Sequence, residues 1–255
     1  MLIVLSPAKT LDFSTDNSIN ESSLPVFLQE AANLVKIIKK YKPAKLSLLM
    51  GISAKLADLN YERFLKWDTE HNPPFAKQAI LAFKGDVYIG LDAENLSAQD
   101  LSFINRNVKI LSGLYGILKP FDLIREYRLE MGTLLLNPKG SDLYKFWTNK
   151  ITKQVNIDME HADGEKVLIN LASNEYFKII IPKDIRYRII TPVFKEFKDN
   201  EYKVVSFFAK KARGLMVRYI AINRITTSEK IKAFNLAGYS YNESISKSDE
   251  WVFSR

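Results

Sequence analysis

Short β-rich apolar runs alternate with stretches of helical period along this 255-residue chain. That alternation predicts an α/β or mixed α+β fold. The first run, Leu2–Leu5, reads as a buried strand leading into a turn, Ser6 to Thr10, that carries Lys9. Residues 12–23 are polar and rich in Ser and Asn, as an exposed loop would be. Pro25 opens a helix to about Tyr41, with Phe27, Leu28, Ala31, Leu34, Val35 and Ile38 on its apolar side. Two helices follow from about Ala44 to Trp67, and after Asn72-Pro73-Pro74 a further helix runs to about Phe83. Ser97 and Asp100 have capping-box spacing for a helix to about Arg106, and Asp142 begins another to about Val155. Ala209–Ile222 is the last helix. Strands are expected at Val87–Ile89, Val108–Leu111, Val167–Leu171, Lys178–Ile181, Tyr187–Phe197 and Tyr202–Phe208, with two short ones near Gly238 and Trp251. There is no internal repeat and no long linker, so residues 1–255 should form a single compact domain.

Leu49 to Ala57 has the pattern of a helix–hairpin–helix at about residues 44–67, a module that grips nucleic-acid backbone without reading bases. Gly51 can take positive φ and end the first helix. Ile52 can plug the groove between the helices, and Ser53 can cap the second. Lys55 then lies in the first turn, beside free N–H groups and the positive end of the helix dipole, where a phosphate would sit. Gly followed by Ser is also how an ordinary pair of antiparallel helices turns, and Ser53 stands where the usual second glycine would let a backbone come closer.

Charge sharpens this reading. The net charge is +8, and residues 34–66 carry +6 while residues 178–220 carry +7, so the remainder is mildly acidic. Two basic blocks suggest a polyanionic partner. In the second block, Lys210 and Arg213 are three residues apart and Lys211 and Arg218 seven, which gives a helix a basic face. No apolar run approaches the roughly 18 residues of a membrane span. The absence of cysteine excludes disulfides, thiolate metal sites and cysteine nucleophiles, and is compatible with a reducing cytoplasm. His71 and His161, the only histidines, both sit in turn contexts and are expected to be exposed. No zinc spacing, nucleophile elbow or P-loop is present. Gly113-Leu114-Tyr115-Gly116 reads as a tight turn with a packed tyrosine.

Several polar residues directly follow apolar runs: Lys9; Ser112 and Gly113; Ser173, Asn174 and Glu175; Lys210 and Lys211. In open α/β sheets ligands bind where strands end. If the strands are parallel neighbours, these ends converge on one lysine-rich cleft that Arg128 and Glu130 could join. Lys9, Glu130, Asn174 and Lys210 are then candidate acid/base or phosphate-holding groups.

Seven ordered segments resemble the bacterial YaaA family of peroxide-stress-resistance proteins: Ser-Pro-Ala-Lys-Thr-Leu-Asp (6–12), Ala-Phe-Lys-Gly-Asp-Val-Tyr (82–88), Leu-Ser-Gly-Leu-Tyr-Gly (111–116), Tyr-Arg-Leu-Glu-Met-Gly (127–132), Asp-Leu-Tyr-Lys-Phe-Trp (142–147), Asn-Leu-Ala-Ser-Asn-Glu-Tyr-Phe (170–177) and Phe-Ala-Lys-Lys-Ala-Arg-Gly (208–214). The resemblance implies a single α/β domain of unusual topology, a positively charged cleft, an embedded helix–hairpin–helix, binding to double-stranded or distorted DNA, and a cytosolic role in limiting damage and free iron under peroxide. It supplies no catalytic residues. Phosphate contacts are expected from Lys9, Gly51, Ser53, Lys55, Arg128, Lys210, Lys211, Arg213 and Arg218, with no metal held by ordinary ligands and no cofactor. Two alternatives stay open: an enzyme acting on a nucleotide, nucleobase or modified nucleic acid in the strand-end cleft, and a scaffold whose basic face binds protein or RNA.

Overall fold

The computed structural model describes residues 1–14 and 19–255. The middle of the loop expected over residues 12–23, Thr15 to Ser18, therefore lies outside the described residues. The strands are β1 (Leu2–Leu5), β2 (Thr10–Leu11), β3 (Lys77–Gln78), β4 (Phe83–Lys84), β5 (Val108–Ser112), β6 (Gly116–Leu118), β7 (Leu123–Ile124), β8 (Val167–Leu171), β9 (Arg188–Lys198), β10 (Glu201–Lys203), β11 (Ser240–Tyr241) and β12 (Glu250–Ser254). The helices are α1 (Leu28–Ile38), α2 (Pro43–Met50), α3 (Ala54–Lys66), α4 (Ala79–Ala82), α5 (Asp86–Leu91), α6 (Ala98–Asn107), α7 (Leu143–His161), α8 (Asn174–Phe177) and α9 (Ser206–Ile222), with 3-10 turns between some of them.

The main sheet runs β11-β12-β9-β8-β1-β5-β6, with β10 added to the far end of β9. Its centre is parallel: β1 pairs with β5 on one side and β8 on the other, β8 with β9, and β9 with β12. This explains why β1, β5 and β8 are buried at every position and are mostly apolar, since helices cover both faces of a parallel sheet; the exceptions are buried Lys109 and Ser112 in β5 and Asn170 in β8. Antiparallel β6 and β11 close the two edges. The mixed α/β single domain is the fold that the sequence predicts. Because β1, β5 and β8 point the same way, Ser6, Ser112 and Ser173 leave the sheet along one edge.

Four elements differ from expectation. Val87–Ile89 is not a strand but the middle of α5, which crosses α9 at very short range. A Cβ on Gly90 would lie 2.1 Å from the Lys211 carbonyl oxygen, and one on Gly214 only 1.8 Å from that of Val87. Only helical backbones without side chains at those two points can touch in this way, so the packing of glycine against helix overrides the β propensity of Val and Ile. The helix expected up to Phe83 shrinks to one turn, α4, because β3 and β4 on either side are drawn off to pair with β7 and β2. Lys178–Ile181 continues α8 as turns, with Lys178 N–H bonded to Asn174 O and Ile180 N–H to Phe177 O. Tyr202–Phe208 is strand only to Lys203. Ala209, Ala212 and Met216 are buried at helical spacing, and this register carries α9 back to Ser206 through two exposed phenylalanines. In α7 the buried series Ile151, Val155, Met159 likewise extends the helix past Val155 to His161.

Candidate functional site

Beyond the ends of β1 and β8 the two strands are latched together. Ser173 donates its backbone N–H to Ser6 Oγ at 2.8 Å, and the Tyr88 hydroxyl donates to the Ser6 carbonyl at 3.1 Å. Next to this latch is a cavity of about 290 Å³. Its walls come from four places: the turn after β1 with Lys9, the junction of β4 and α5 with Lys84 and Asp86, the end of β8 with Ser173 and Glu175, and the first half of α9 with Lys210 and Arg213. The α5–α9 crossing fixes the distance between two of these walls. A narrow extension shares Lys9 and Tyr176 with this cavity and adds Arg128 and Glu130. There the Glu130 carboxylate joins two cations, with Lys9 Nζ at 2.6 Å and Arg128 Nη2 at 2.9 Å. Glu175 accepts the Gly132 N–H at 3.1 Å, which ties the 127–132 segment to the end of β8.

Lys9, Arg128, Glu130, Lys210 and Arg213 thus meet around one concavity although they span two hundred positions. Three other candidates do not. Asn174 is exposed on the first residue of α8 and is absent from the cavity wall. Lys211 is exposed on α9 and also outside it. Arg218 is occupied: its guanidinium donates to the Leu91 and Asp92 carbonyls at 3.1 and 2.8 Å, closing the C-terminal end of α5. Ser112 leaves the same sheet edge but is fully buried, with Oγ 2.6 Å from the Tyr127 hydroxyl and accepting the Tyr115 N–H at 3.0 Å. Much of the second basic block is similarly committed. Arg186 pairs with Glu160 at 3.0 Å and Arg188 with Asp249 at 2.7 Å.

Arg213 is the exception. Among the described residues it has no hydrogen-bond or ion-pair partner, although it is only partly exposed. Burial alone pushes its pKa below the ordinary value.

The second candidate lies on α2 and α3. Gly51 ends α2 with φ +61° and ψ +44°, and its N–H bonds to Ser47 O. Ser47 Oγ donates to the Ile52 carbonyl at 2.6 Å and holds the turn shut. Ile52 is half-buried against the core, to which α2 contributes Leu46 and α3 contributes Ala57 and Phe64. Ser53 caps α3 by accepting the Leu56 N–H, a long bond at 3.4 Å. The N–H groups of Ala54 and Lys55 have no acceptor among the described residues. The Lys55 side chain is exposed and has no ion-pair partner there.

Two features escaped the sequence reading. A larger cavity, about 570 Å³, lies between α3 and the segments around Trp67, Phe75 and Arg125. Its charges are mostly paired, Arg63 with Glu126 and Arg125 with Asp68. His71, expected in an exposed turn, is 2% exposed. The turn folds inward against Trp67 and Tyr115, whose rings meet His71 edge-on at 5.3 and 5.8 Å. The buried Tyr115 hydroxyl accepts from Trp67 Nε1 at 3.0 Å and from Arg125 N–H at 3.1 Å, so its own proton goes to His71 Nε2 at 2.9 Å. That fixes His71 as the neutral Nδ1–H tautomer, and burial lowers its pKa to about 4. His161 is exposed.

Among the described residues no three His, Asp or Glu side chains gather as metal ligands, and no helix is long and apolar enough to cross a membrane.

Residues 1–245 match the family described as peroxide stress protein YaaA. A relative from Colwellia psychrerythraea strain 34H, named UPF0246 protein, is 51% identical over all 255 residues and 99% of its own length. Relatives of the same name from Ralstonia pickettii strain 12J and Hahella chejuensis strain KCTC 2396 are 48% and 51% identical over the same spans. With agreement of this depth along its whole length, the chain belongs to the YaaA family of peroxide stress proteins.

Proposed function

We propose that this member of a peroxide stress family acts by binding DNA, gripping phosphates with little regard to base sequence. One observation carries the reading: the turn between α2 and α3 leaves the Ala54 and Lys55 N–H groups and the Lys55 ammonium together, solvated and unpartnered, at the positive end of a 13-residue helix. Such a terminus favours a phosphate oxygen. Lys42, just before the preceding helix, and Lys45, in its first turn, are exposed and add positive charge to this region. Contacts from this helix end would go to the sugar–phosphate backbone, so affinity would follow counterion release. In a cell under peroxide, protein bound along DNA would shield it, and this route needs no iron ligands. Binding of a fluorescent duplex across a salt series tests the reading. Affinity that falls steeply with salt and is alike for unrelated sequences supports it; binding indifferent to salt refutes it. The same series run with bulged and single-stranded DNA reports which form is preferred.

A second reading has its own observation. Asp86, Glu130 and Glu175 line the strand-end concavity alongside its cations, and gripping phosphate requires no carboxylates. Carboxylates beside lysines are the equipment of acid–base work on a nucleotide or nucleobase.

A further inference from the structure

The partnerless Arg213 marks the strand-end cavity as something other than a stretch of basic surface. A guanidinium partly withdrawn from water is favoured when an anion or well-placed acceptors compensate. Elsewhere in this protein that compensation is present: Arg63, Arg125, Arg128 and Arg218 are all half-buried or better and all ion-paired. Among the described residues, Arg213 alone of the partly covered arginines faces a cavity with no partner for its donors. Burial lowers its pKa, with no neighbouring anion among the described residues to offset the effect. Lys210, one turn earlier on α9, is also unpaired and lines the same wall. Arginine and lysine three apart on one helix present a fork and a point charge to a single group, the pairing that a tetrahedral dianion uses.

The rest of the wall narrows the ligand. A chain of bare phosphates would be repelled by Asp86 and Glu175, which flank the cavity, and Asp86 has no hydrogen-bond partner of its own among the described residues. Carboxylates in such a place accept hydrogen bonds from hydroxyl or amino groups. The volume, about 290 Å³, is at the small end of ligand pockets and suits one nucleotide-sized molecule. We infer that the cavity is a phosphomonoester site: Arg213 and Lys210 hold a terminal phosphate, and Asp86 and Glu175 receive the hydroxyl or amino groups of the nucleoside attached to it. The site is separate from the α2–α3 surface and does not depend on the DNA reading. Its phosphate can come from a free mononucleotide or from the 5′-phosphorylated end of a DNA strand.

Isothermal titration of the full chain decides it. The probes are adenosine monophosphate, adenosine, inorganic phosphate, and a short single strand of DNA with and without a 5′ phosphate. The site predicts that the monophosphate, the phosphorylated strand or both bind at least tenfold more tightly than their unphosphorylated counterparts. Binding by the monophosphate points to a free nucleotide; binding by the phosphorylated strand alone points to a DNA end. Arg213→Gln should lose at least tenfold of that affinity, and so should Lys210→Gln, an exposed position that tests the same wall if Arg213→Gln fails to fold. Lys55→Glu should leave it unchanged, which separates this site from the helical surface. The inference is overturned if no phosphorylated probe binds, if phosphate makes no difference, if inorganic phosphate binds as well as the monophosphate, or if folded Lys210→Gln and Arg213→Gln keep wild-type affinity.

Discussion

Replacing Gly214 by Ala sets two physical effects against each other, and their signs differ. By intrinsic propensity the change should help, since Ala in a helix interior is favoured over Gly by about 1 kcal/mol. By geometry it should harm. The new Cβ would lie 1.8 Å from the Val87 carbonyl oxygen and 2.7 Å from the Leu91 nitrogen, both backbone atoms of α5 that cannot rotate away. An ordinary contact needs 3.4 Å or more, so the two helices must part by well over an ångström along that line. A gap of that size forfeits a quarter to half or more of the dispersion energy at the contact, and overpacking of this kind costs about 3 kcal/mol at the upper end of its usual range. The net loss is then about 2 kcal/mol after the gain in propensity. For a chain of this size that lowers the melting temperature by roughly 4–8 °C. Thermal and urea unfolding followed by circular dichroism measure it. The same displacement moves Asp86 and Val87 away from Lys210 and Arg213, so ligand affinity at the strand-end cavity should fall with stability. A Gly214→Ala protein as stable as the parent, or more so, would refute the close crossing and with it the account of how the cavity walls are spaced.

Further outcomes can be checked separately. Lys55→Glu should weaken duplex binding by about 1–2 kcal/mol, roughly tenfold, while leaving the melting curve in place; unchanged affinity would return the turn to a purely architectural role. If about five phosphates are neutralised, the log–log salt slope should be about −4 to −5, as read by fluorescence anisotropy. His71 stays neutral in the fold down to about pH 4 but takes up a proton near 6.5 when unfolded. The unfolded state therefore binds more protons in that window, and this group costs roughly 3 kcal/mol as pH falls through it. Asp122, buried and raised to about 6, acts in the opposite direction between about 6 and 3.8 and masks much of the loss. Urea unfolding at several pH values should thus show Asp122→Asn losing stability on acidification more steeply than wild type, and parallel profiles would contradict the assignment.

Local chemistry was legible in the sequence wherever a residue's own backbone decides the outcome. Gly51 and Ser53 end and begin their helices as their side chains dictate, and Ser97 with Asp100 forms the expected capping box. The central strands were legible too, because burial on both faces writes short, mostly apolar runs, unbroken in β1 and interrupted by Lys109 in β5 and Asn170 in β8. Features decided by distant partners stayed hidden. Val87–Ile89 has strand chemistry and becomes a helix only because Gly214, more than 120 positions later, lets α9 approach. His71 is buried between nearby Trp67 and distant Tyr115, whose hydroxyl completes the pocket. The gathering of Lys9, Lys210 and Arg213 followed from strand-end logic, but Lys210 reaches the site from a helix, and neither Asn174 nor Arg218 could be sorted from true wall residues without knowing what each one already holds.

The central strand is made before either of its partners. β1 pairs Leu2 with Leu168 and Ile3 with Val108, so both of its neighbours lie more than a hundred residues downstream. At about 5–20 residues per second of synthesis, the β8 partner emerges roughly 8–33 s after β1. During that interval an entirely apolar strand has both edges unsatisfied, which is the condition under which chains aggregate or engage chaperones. The strand-end cavity appears later still, since Arg213 follows β8 by some forty residues. A chain truncated before α9 would possess most of the sheet but lack Lys210 and Arg213, and so would have only part of the cavity wall.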